Sequence, residues 1–422
     1  MYPQVLFANR KASRIATMEE YCRSGGYEAL SLVVGKWTGK DVCAEVQRAN
    51  LRGRGGAGFP AAIKWLGVPE EADYPRYVVA NCDEMEPGTF KDRVLVHADP
   101  HMILEGMALT GYATGAEKGF IFVRPSYESS ARILEREIQK ARDAGYLGKN
   151  ILGTDFSFEI VVHRSGGRYI CGEATALLNA LQGKRPNPVK PPPYPTVKGL
   201  WGRPTVVNNI ETMANVPHIL RNGAEWYQGL SRSSTSPGTK LFCVSGRVNG
   251  PGCFELPMGI TLREIIEEHA GGLQPGCHYK ACLPGGASTR YLTSEHLDVP
   301  MDFESVAAIG HRMGTAAIIV FDQNTCLVGA TLNLTQFFAR ESCGWCTPCR
   351  EGLPYLRDLL WRIEKGEGEE EFIPMMRAMC DQLWNAYCAL APGAASPVES
   401  LLTYFEDEVR EHIRQKRCPF KT

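Results

Sequence analysis

The chain has 422 residues, with 46 Lys and Arg against 47 Asp and Glu, a formal net charge of −1, and 44% hydrophobic and 22% charged residues. At roughly 150 residues per domain this is room for about three domains with real cores, and the charge balance argues against both a basic nucleic-acid-binding chain and a disordered one. Apolar runs such as Ala316 to Phe321 fall far short of the roughly 18 residues that a membrane span needs, and the opening residues carry neither a signal-peptide core nor a transit-peptide composition, so no direct membrane insertion is expected.

From Gly35 to about Gly223, short β-branched runs alternate with helical stretches. Asp41 to Leu51 reads as a helix with Val42, Val46, Ala49 and Leu51 on one side. Strands are expected at Tyr77 to Ala80, Gly119 to Val123 and Phe158 to His163, and helices at Pro100 to Thr114 and Ser126 to Ala144. That alternation predicts an α/β sheet with crossovers. The Pro-rich stretch Pro186 to Pro195 must be extended.

Polar residues from Ser231 to Thr239 separate this block from a strand at Lys240 to Arg247, a Pro251-Gly252 turn and a second strand ending before Pro257. Thr261 and Glu264 form a capping-box pattern for a helix over Leu262 to His269. More short strands to Phe321 make this a small α+β unit. Beyond Asn324 the pattern is helical, over Leu332 to Arg340, Arg350 to Lys365, Phe372 to Tyr387 and Ser396 to Gln415, as in a helical bundle. The expected domains are therefore 1–230, 240–322 and 325–422.

Gly53-Arg54-Gly55-Gly56-Ala57-Gly58 satisfies G-x-G-x-x-G, but a helix precedes it where a Rossmann fingerprint needs a strand, and the ending is not that of a Walker loop. Glycines still let backbone approach a phosphate, Arg54 and Lys64 add positive charge, and Ala61 to Leu66 offers a helix N-terminus. A ligand-free turn is the plain alternative. Asp83, Glu84 and Glu86, in Asn81 to Gly88, follow a strand, and such carboxylates can accept from ribose hydroxyls and repel a 2′-phosphate. The alternative is an acidic surface loop. Tyr169 to Ala174 and Asn208 to Thr212 are further polar clusters suited to ring amides or phosphate, or simply to helix capping.

Fifteen cysteines without a secretion signal read as buried thiols plus metal ligands. Cys343, Cys346 and Cys349 recur every third residue on a Gly/Pro-containing loop, which can aim three thiolates at one [4Fe–4S] centre. Leu353 stands where a ferredoxin run has its fourth cysteine, so that ligand comes from Cys380, Cys388 or Cys418. Cys380 lies in a predicted helix and Cys418 near a fraying end, whereas Cys388 precedes the turn-like Ala391-Pro392-Gly393 and is chosen. A structural zinc or clustered core thiols are the alternatives.

Taken together, Gly53 to Pro60, Asn81 to Arg93, Tyr169 to Glu173, Val207 to Thr212 and Glu341 to Gly352 resemble the NADH-binding flavoprotein (F-type) subunits of bacterial NADH-quinone oxidoreductase, respiratory complex I, in family order over nearly the whole chain. The resemblance implies a Rossmann-like FMN- and NADH-binding domain, a ubiquitin-like (β-grasp) domain and a helical bundle with one [4Fe–4S] cluster. Gly53, Arg54, Gly55, Gly56, Ala57, Gly58, Phe59 and Lys64 would line the cofactor cavity. Asn81, Asp83, Glu84, Tyr169, Gly172 and Glu173 would surround flavin and nicotinamide, Asn208, Asn209 and Thr212 the FMN side chain and phosphate, and Phe59 and Tyr194 the adenine, with Glu86 a further cofactor-binding carboxylate where a 2′-phosphate would approach. Cys343, Cys346, Cys349 and Cys388 match the cluster ligands.

Three residues depart from the family pattern: Ala174 replaces a second acid, Pro191 stands where a lysine is usual, and Cys82 adds a thiol beside the flavin. The implied activity is hydride transfer from NADH to FMN and single-electron transfer to the cluster. No protein catalytic group is required, Glu84 and Glu173 being the nearest candidates. Implied partners are a thioredoxin-like [2Fe–2S] subunit and a large iron–sulfur subunit, with the chain held peripherally on the cytoplasmic side of the inner membrane. A diaphorase subunit of an NAD-linked hydrogenase, formate dehydrogenase or bifurcating complex is the second reading, and a non-catalytic iron–sulfur scaffold the third.

Overall fold

The computed structural model describes residues 2–12, 14–71 and 75–420. Strands β1 (Tyr77–Cys82), β2 (Lys118–Val123), β3 (Glu159–Arg164) and β4 (Thr205–Asn209) make a wholly parallel sheet in the order β3-β2-β1-β4. Strand alternation feeds two cores. Val78, Ala80 and Cys82 pack with helices Pro100–Thr114 and Ile210–Asn222, while Val79, Phe120, Phe122 and Val207 face helix Ala174–Leu181 and the C-terminal helices. Both faces are thus covered, as a parallel sheet requires.

The chain runs outward from β1 through β2 to β3, then returns to the opposite side of β1 for β4. Strand order reverses between β1 and β4, and the crevice beyond the carboxyl ends of such strands is where open α/β sheets bind ligands. Asn81 pairs in register with Asn209, which sets the two polar strand ends side by side. The sequence pattern marks Asn208 to Thr212 only as a lead into a helix. The strand it hides, β4, has just three residues, Thr205 to Val207, with β-branched side chains before those asparagines.

Helix Pro100–Thr114 lies where expected: the Asp99 side chain accepts from the His101 N–H, Pro100 opens the first turn, and Gly115 closes it at φ 67°. It is buried almost throughout because it runs beneath the sheet against Ile210–Asn222. The approach is so close that a Cβ on Gly106 would stand 2.0 Å from the Met213 carbonyl oxygen.

The second sheet contains β5 (Thr239–Gly246), β6 (Gly252–Pro257), β7 (Tyr279–Leu283) and β8 (Ala317–Asp322) in the order β6-β5-β8-β7, with only β5 and β8 parallel among its neighbours. Thr261 and Glu264 make the expected capping box, and the helix widens into a π turn over Ile265–His269. Helices Leu327–Glu341, Thr347–Glu364, Phe372–Leu383, Leu390–Tyr404 and Glu406–Gln415 follow.

Two expectations are corrected here. Ser396 to Gln415 is not one helix: the chain breaks at Phe405 (φ −136°), and Glu406, Asp407 and Glu408 supply the acidic first turn that favours a fresh N-terminus. Ala391-Pro392-Gly393 is not a turn but the opening of Leu390–Tyr404, where the N–H that proline lacks has no intrahelical acceptor anyway.

The Gly106 contact generates a test. Gly106→Ala is expected to lower unfolding stability by about 3 kcal/mol, the upper end of usual overpacking costs, because a backbone carbonyl must move. Gly229→Ala, where an added Cβ meets nothing within 4 Å, should leave the denaturation midpoint essentially unchanged. Equal midpoints for the two variants would contradict the close crossing.

Candidate functional site

A cavity of about 460 Å³ opens at the β1/β4 switch point, within the size range of cofactor sites. Its wall gathers residues far apart in sequence: Gly53, Gly55, Gly56, Ala57, Gly58, Phe59, Lys64, Asn81, Asp83, Glu84, Glu86, Tyr169, Gly172, Glu173, Asn208, Asn209 and Thr212. Ala174 and Cys388 also reach it.

The glycine loop is a closed lobe. Arg52 bridges Pro60, and the Gly53 N–H donates to the Phe59 carbonyl at 2.9 Å. Gly55 lies against Asn209, where a Cβ would come within 3.1 Å of the Asn209 Cβ; Gly58 combines φ 64° with a Cβ position 2.7 Å from the Phe303 ring. Backbone, not side chains, therefore faces the cavity. The expectation for Arg54 is corrected accordingly. Its N–H donates to Thr212 Oγ1 at 2.8 Å, but its guanidinium is fully buried behind the loop, donating to Tyr227 Oη at 2.9 Å and the Pro237 carbonyl at 2.6 Å. Tyr194 is also absent from the wall. It is 62% exposed, and its neighbour Pro195 is tied to Thr205 at the amino end of β4.

Under the cavity lies a buried ion network. Lys91 Nζ stands 2.6 Å from Asp92 Oδ1, 3.0 Å from Asn209 Oδ1 and 2.9 Å from Glu211 Oε2, and Lys240 Nζ approaches the same Glu211 oxygen at 2.7 Å. Asn209 Nδ2 donates to Asp92 Oδ2 at 2.7 Å and to the Asn81 carbonyl at 3.2 Å, joining β4 to β1. Burial opposes the charge on Lys91, but Asp92, Glu211 and Glu84 outweigh it and hold this lysine above its usual range. Burial pulls Lys240 down to about 8 against the attraction of Glu211, and alone brings Lys64, whose Nζ donates to the Val207 carbonyl at 2.8 Å, to about 8.

The acids differ in what they are free to do. Glu84 accepts from the Asp92 and Arg93 N–H groups at 2.9 and 3.3 Å and from Tyr127 Oη at 3.0 Å; burial and the Asp92 charge push it up to about 7. Its oxygens serve the start of helix Lys91–Ala98. Glu86 accepts from Tyr169 Oη and the Ser288 N–H, and Glu173 caps helix Ala174–Leu181 through the Ala176 N–H at 2.8 Å. Asp83 is the exception. Oδ1 accepts from Ser165 Oγ at 3.0 Å, Oδ2 is buried without a hydrogen-bond partner, and burial raises the carboxyl to about 6.

Sequence reasoning does not single out Lys91, Asp92, Ser288, Arg312 or Thr315, which also form the wall. The first two sit within the Asn81 to Arg93 motif and had a signal. The others come from the second sheet's region, whose folding over the cavity has no local sequence mark.

The thiols of Cys343, Cys346, Cys349 and Cys388 lie within electrostatic reach of one another: burial raises Cys349 to about 12 and Cys388 to about 11, and the neighbouring thiols add to both. Among the described residues no three of them close to the 4.8 Å spacing of a single-ion site. Cys380 is elsewhere, buried beside Glu399 and Asp381, and Cys418 neighbours Cys326. Cys418 is buried, against the expectation of a fraying end. The cysteine loop is clamped to the cavity because Glu341 accepts from the Tyr169 N–H at 3.0 Å and Phe337 and Phe338 meet the Tyr169 ring edge-on.

This arrangement defines a class: a flavin- and nucleotide-binding α/β unit joined through a second sheet to an iron–sulfur-binding helical region. The family matches agree, with the Nuo51 FMN-binding domain over residues 46–218, an SLBB domain over 240–320 and the NADH-ubiquinone oxidoreductase-F iron-sulfur binding region over 329–412. The NADH-quinone oxidoreductase F 2 subunit of Rhizobium meliloti is 46% identical over 100% of both chains, and the F subunit of the Escherichia coli enzyme is 48% identical over 94% of this chain and 90% of its own. The chain belongs to the family of NADH-quinone oxidoreductase F subunits. A chain in a crystal structure of NAD+-reducing [NiFe]-hydrogenase superimposes with TM-score 0.81 at 34% identity, covering 94% of this chain, which spans 65% of the hydrogenase chain's length.

Glu211→Gln strips two buried ammonium groups of their shared counter-charge, and breaking such a pair costs about 3–5 kcal/mol. Urea denaturation should show a loss of that size, with a smaller one for Glu173→Gln at the half-buried helix cap.

Proposed function

We propose that the cavity holds FMN with NADH alongside it, and that Cys343, Cys346, Cys349 and Cys388 ligate the [4Fe–4S] cluster that receives the electrons. FMN, when bound, accepts a hydride from NADH and gives up electrons one at a time. One observation carries this reading. Cys388 lies on the wall of the same cavity as the glycine loop and Asp83, so the flavin and cluster sites adjoin.

The residues present suit the groups. The first turn of Ile210–Asn222, capped by Asn209, presents its N-terminus with Lys91 beside it, a setting for the FMN phosphate. Asp83 Oδ2 needs a donor, which a flavin or nicotinamide N–H or a ribose hydroxyl supplies. Glycines 55 and 58 keep the loop thin enough for a flat ring to approach backbone, and Phe59, half exposed at the mouth, offers a stacking face to adenine. Asn81, Glu86, Tyr169, Gly172, Glu173, Asn208 and Thr212 complete the enclosure that keeps water from the reacting face. No side chain is required as a catalytic acid or base.

The domain reading is 1–230, 240–322 and 325–422, with residues 1, 13, 72–74 and 421–422 outside the described residues. Supporting a β-grasp second domain are the order β6-β5-β8-β7 and the helix packed across that sheet's core. Supporting a bundle is the shared core of the last five helices. Among the described residues no helix is long and apolar enough to cross a membrane. Trp345, 58% exposed between two proposed cluster ligands, suits a docked subunit that carries electrons onward, for which a thioredoxin-like [2Fe–2S] subunit and a large iron–sulfur subunit on the cytoplasmic face are the proposed partners. The hydrogenase likeness keeps a diaphorase role as the second reading; mass spectrometry of co-purifying subunits separates them.

Cys388→Ser is expected to lose the reduced-state EPR signal and most iron, and Cys380→Ser to keep both; the reverse pattern would overturn the ligand set. Asp83 generates a pH test. Raised from its usual 3.8 to about 6, it is neutral in the pocket below that pH and an ionised acceptor above it. A hydrogen bond to a charged acceptor is worth about 1.5–3 kcal/mol, so the NADH KM should fall roughly tenfold from about pH 5 to about pH 7. Asp83→Asn should flatten that profile, and parallel profiles would remove Asp83 from contact with the nucleotide.

A further inference from the structure

We infer that Cys326, Glu364, His412 and Cys418 form a second metal site, a closed four-ligand zinc site that staples the C-terminal segment to the helical region. Their donor atoms all lie within 4.8 Å of one another. Cys326 Sγ is 3.3 Å from His412 Nε2 and 3.5 Å from Glu364 Oε2, and the last two are 3.3 Å apart. Ligand bonds of about 2.0–2.3 Å at tetrahedral angles place donors about 3.3–3.8 Å apart, so these separations are already the edges of a zinc tetrahedron.

The surroundings are those of a ligand set rather than a chance contact. His412 Nδ1 donates to the Glu408 carbonyl at 2.7 Å, which fixes the tautomer and turns the Nε2 lone pair toward Cys326 and Glu364. His412 and Cys418 are buried, and the Phe420 ring covers the imidazole at 6.3 Å. Cys326 and Cys418 are in side-chain contact, which completes the donor set with a second sulfur. Two soft thiolates and a borderline imidazole, completed by one carboxylate, suit zinc and not magnesium or calcium. Zinc binding forms four ligand bonds and releases the two thiol protons.

This site is separate from the proposed cluster. Glu364 ends the helix whose first turn carries Cys349, and the 15 steps from one to the other rise about 22 Å at 1.5 Å each. It joins the start of Leu327–Glu341, the end of Thr347–Glu364, the end of Glu406–Gln415 and the tail beyond it. That tail runs tight against the 366 turn, where a Cβ on Gly366 would stand 2.0 Å from the Lys416 carbonyl oxygen.

Purify the full chain without chelators and measure zinc, iron and FMN by elemental analysis and absorbance. One zinc per chain is expected in addition to the cluster iron. Cys418→Ala should lose the zinc and melt at a lower temperature while keeping iron and FMN. If that variant fails to fold, zinc K-edge absorption on the parent decides, with two sulfur and two nitrogen or oxygen neighbours expected. A parent that contains no zinc and takes up none from added zinc chloride, zinc retained at full level in Cys418→Ala, or a native Cys326–Cys418 disulfide in the mass spectrum would each overturn the proposal.

Discussion

Glu211 is the carboxylate on which two buried ammonium groups converge, and the cavity is built over that pairing. Lys91 comes from the helix after β1, Glu211 from the helix after β4, and Lys240 from β5 of the second sheet, so one cluster of charges holds both walls of the crevice and the neighbouring domain in register. Buried ion pairs of this kind add little net stability over an apolar core. What they supply here is position and sign. Asp92, Glu211 and Glu84 hold Lys91 above its usual range, Lys240 and Lys91 hold Glu211 below its own against burial, and burial shifts Glu84 to about 7. Positive charge beneath the helix N-terminus suits a ligand that carries phosphate.

A second convergence sets the cysteine loop against the cavity. Tyr169 donates its backbone N–H to Glu341 and its hydroxyl to Glu86, and packs its ring against Phe337 and Phe338. A single residue therefore braces the cavity wall against the helix that leads into the cysteine loop. Cys388 closes the arrangement from the other side, entering from the connection before Leu390–Tyr404.

Much of this is legible in the sequence where local chemistry decides. Helix Pro100–Thr114 announces itself through Asp99, Pro100 and Gly115, and the capping box at Thr261 and Glu264 is read directly. The motif clusters are recognisable because each stands at a strand end or in a tight loop. What stays hidden is set by tertiary contact. Arg54 looks like a phosphate ligand because a sequence does not show which side of a loop a side chain takes; Tyr227 and the Pro237 carbonyl draw it behind. Glu84 reads as a free acid, yet the first turn of a helix eight residues on uses its oxygens. Arg312 and Ser288 reach the cavity from another sheet, and Cys418 is buried by a tail that no periodicity marks.

The central claim is that one cavity couples nucleotide oxidation to the cysteine-bound centre. Anaerobic titration of the purified chain with NADH, followed by flavin absorbance and low-temperature EPR, tests it most directly. Bleaching of the flavin at stoichiometric NADH, followed by an iron–sulfur signal, is the result expected. A chain that retains flavin and iron but shows no bleaching, or bleaches while the cluster stays oxidised with excess NADH, would contradict the account.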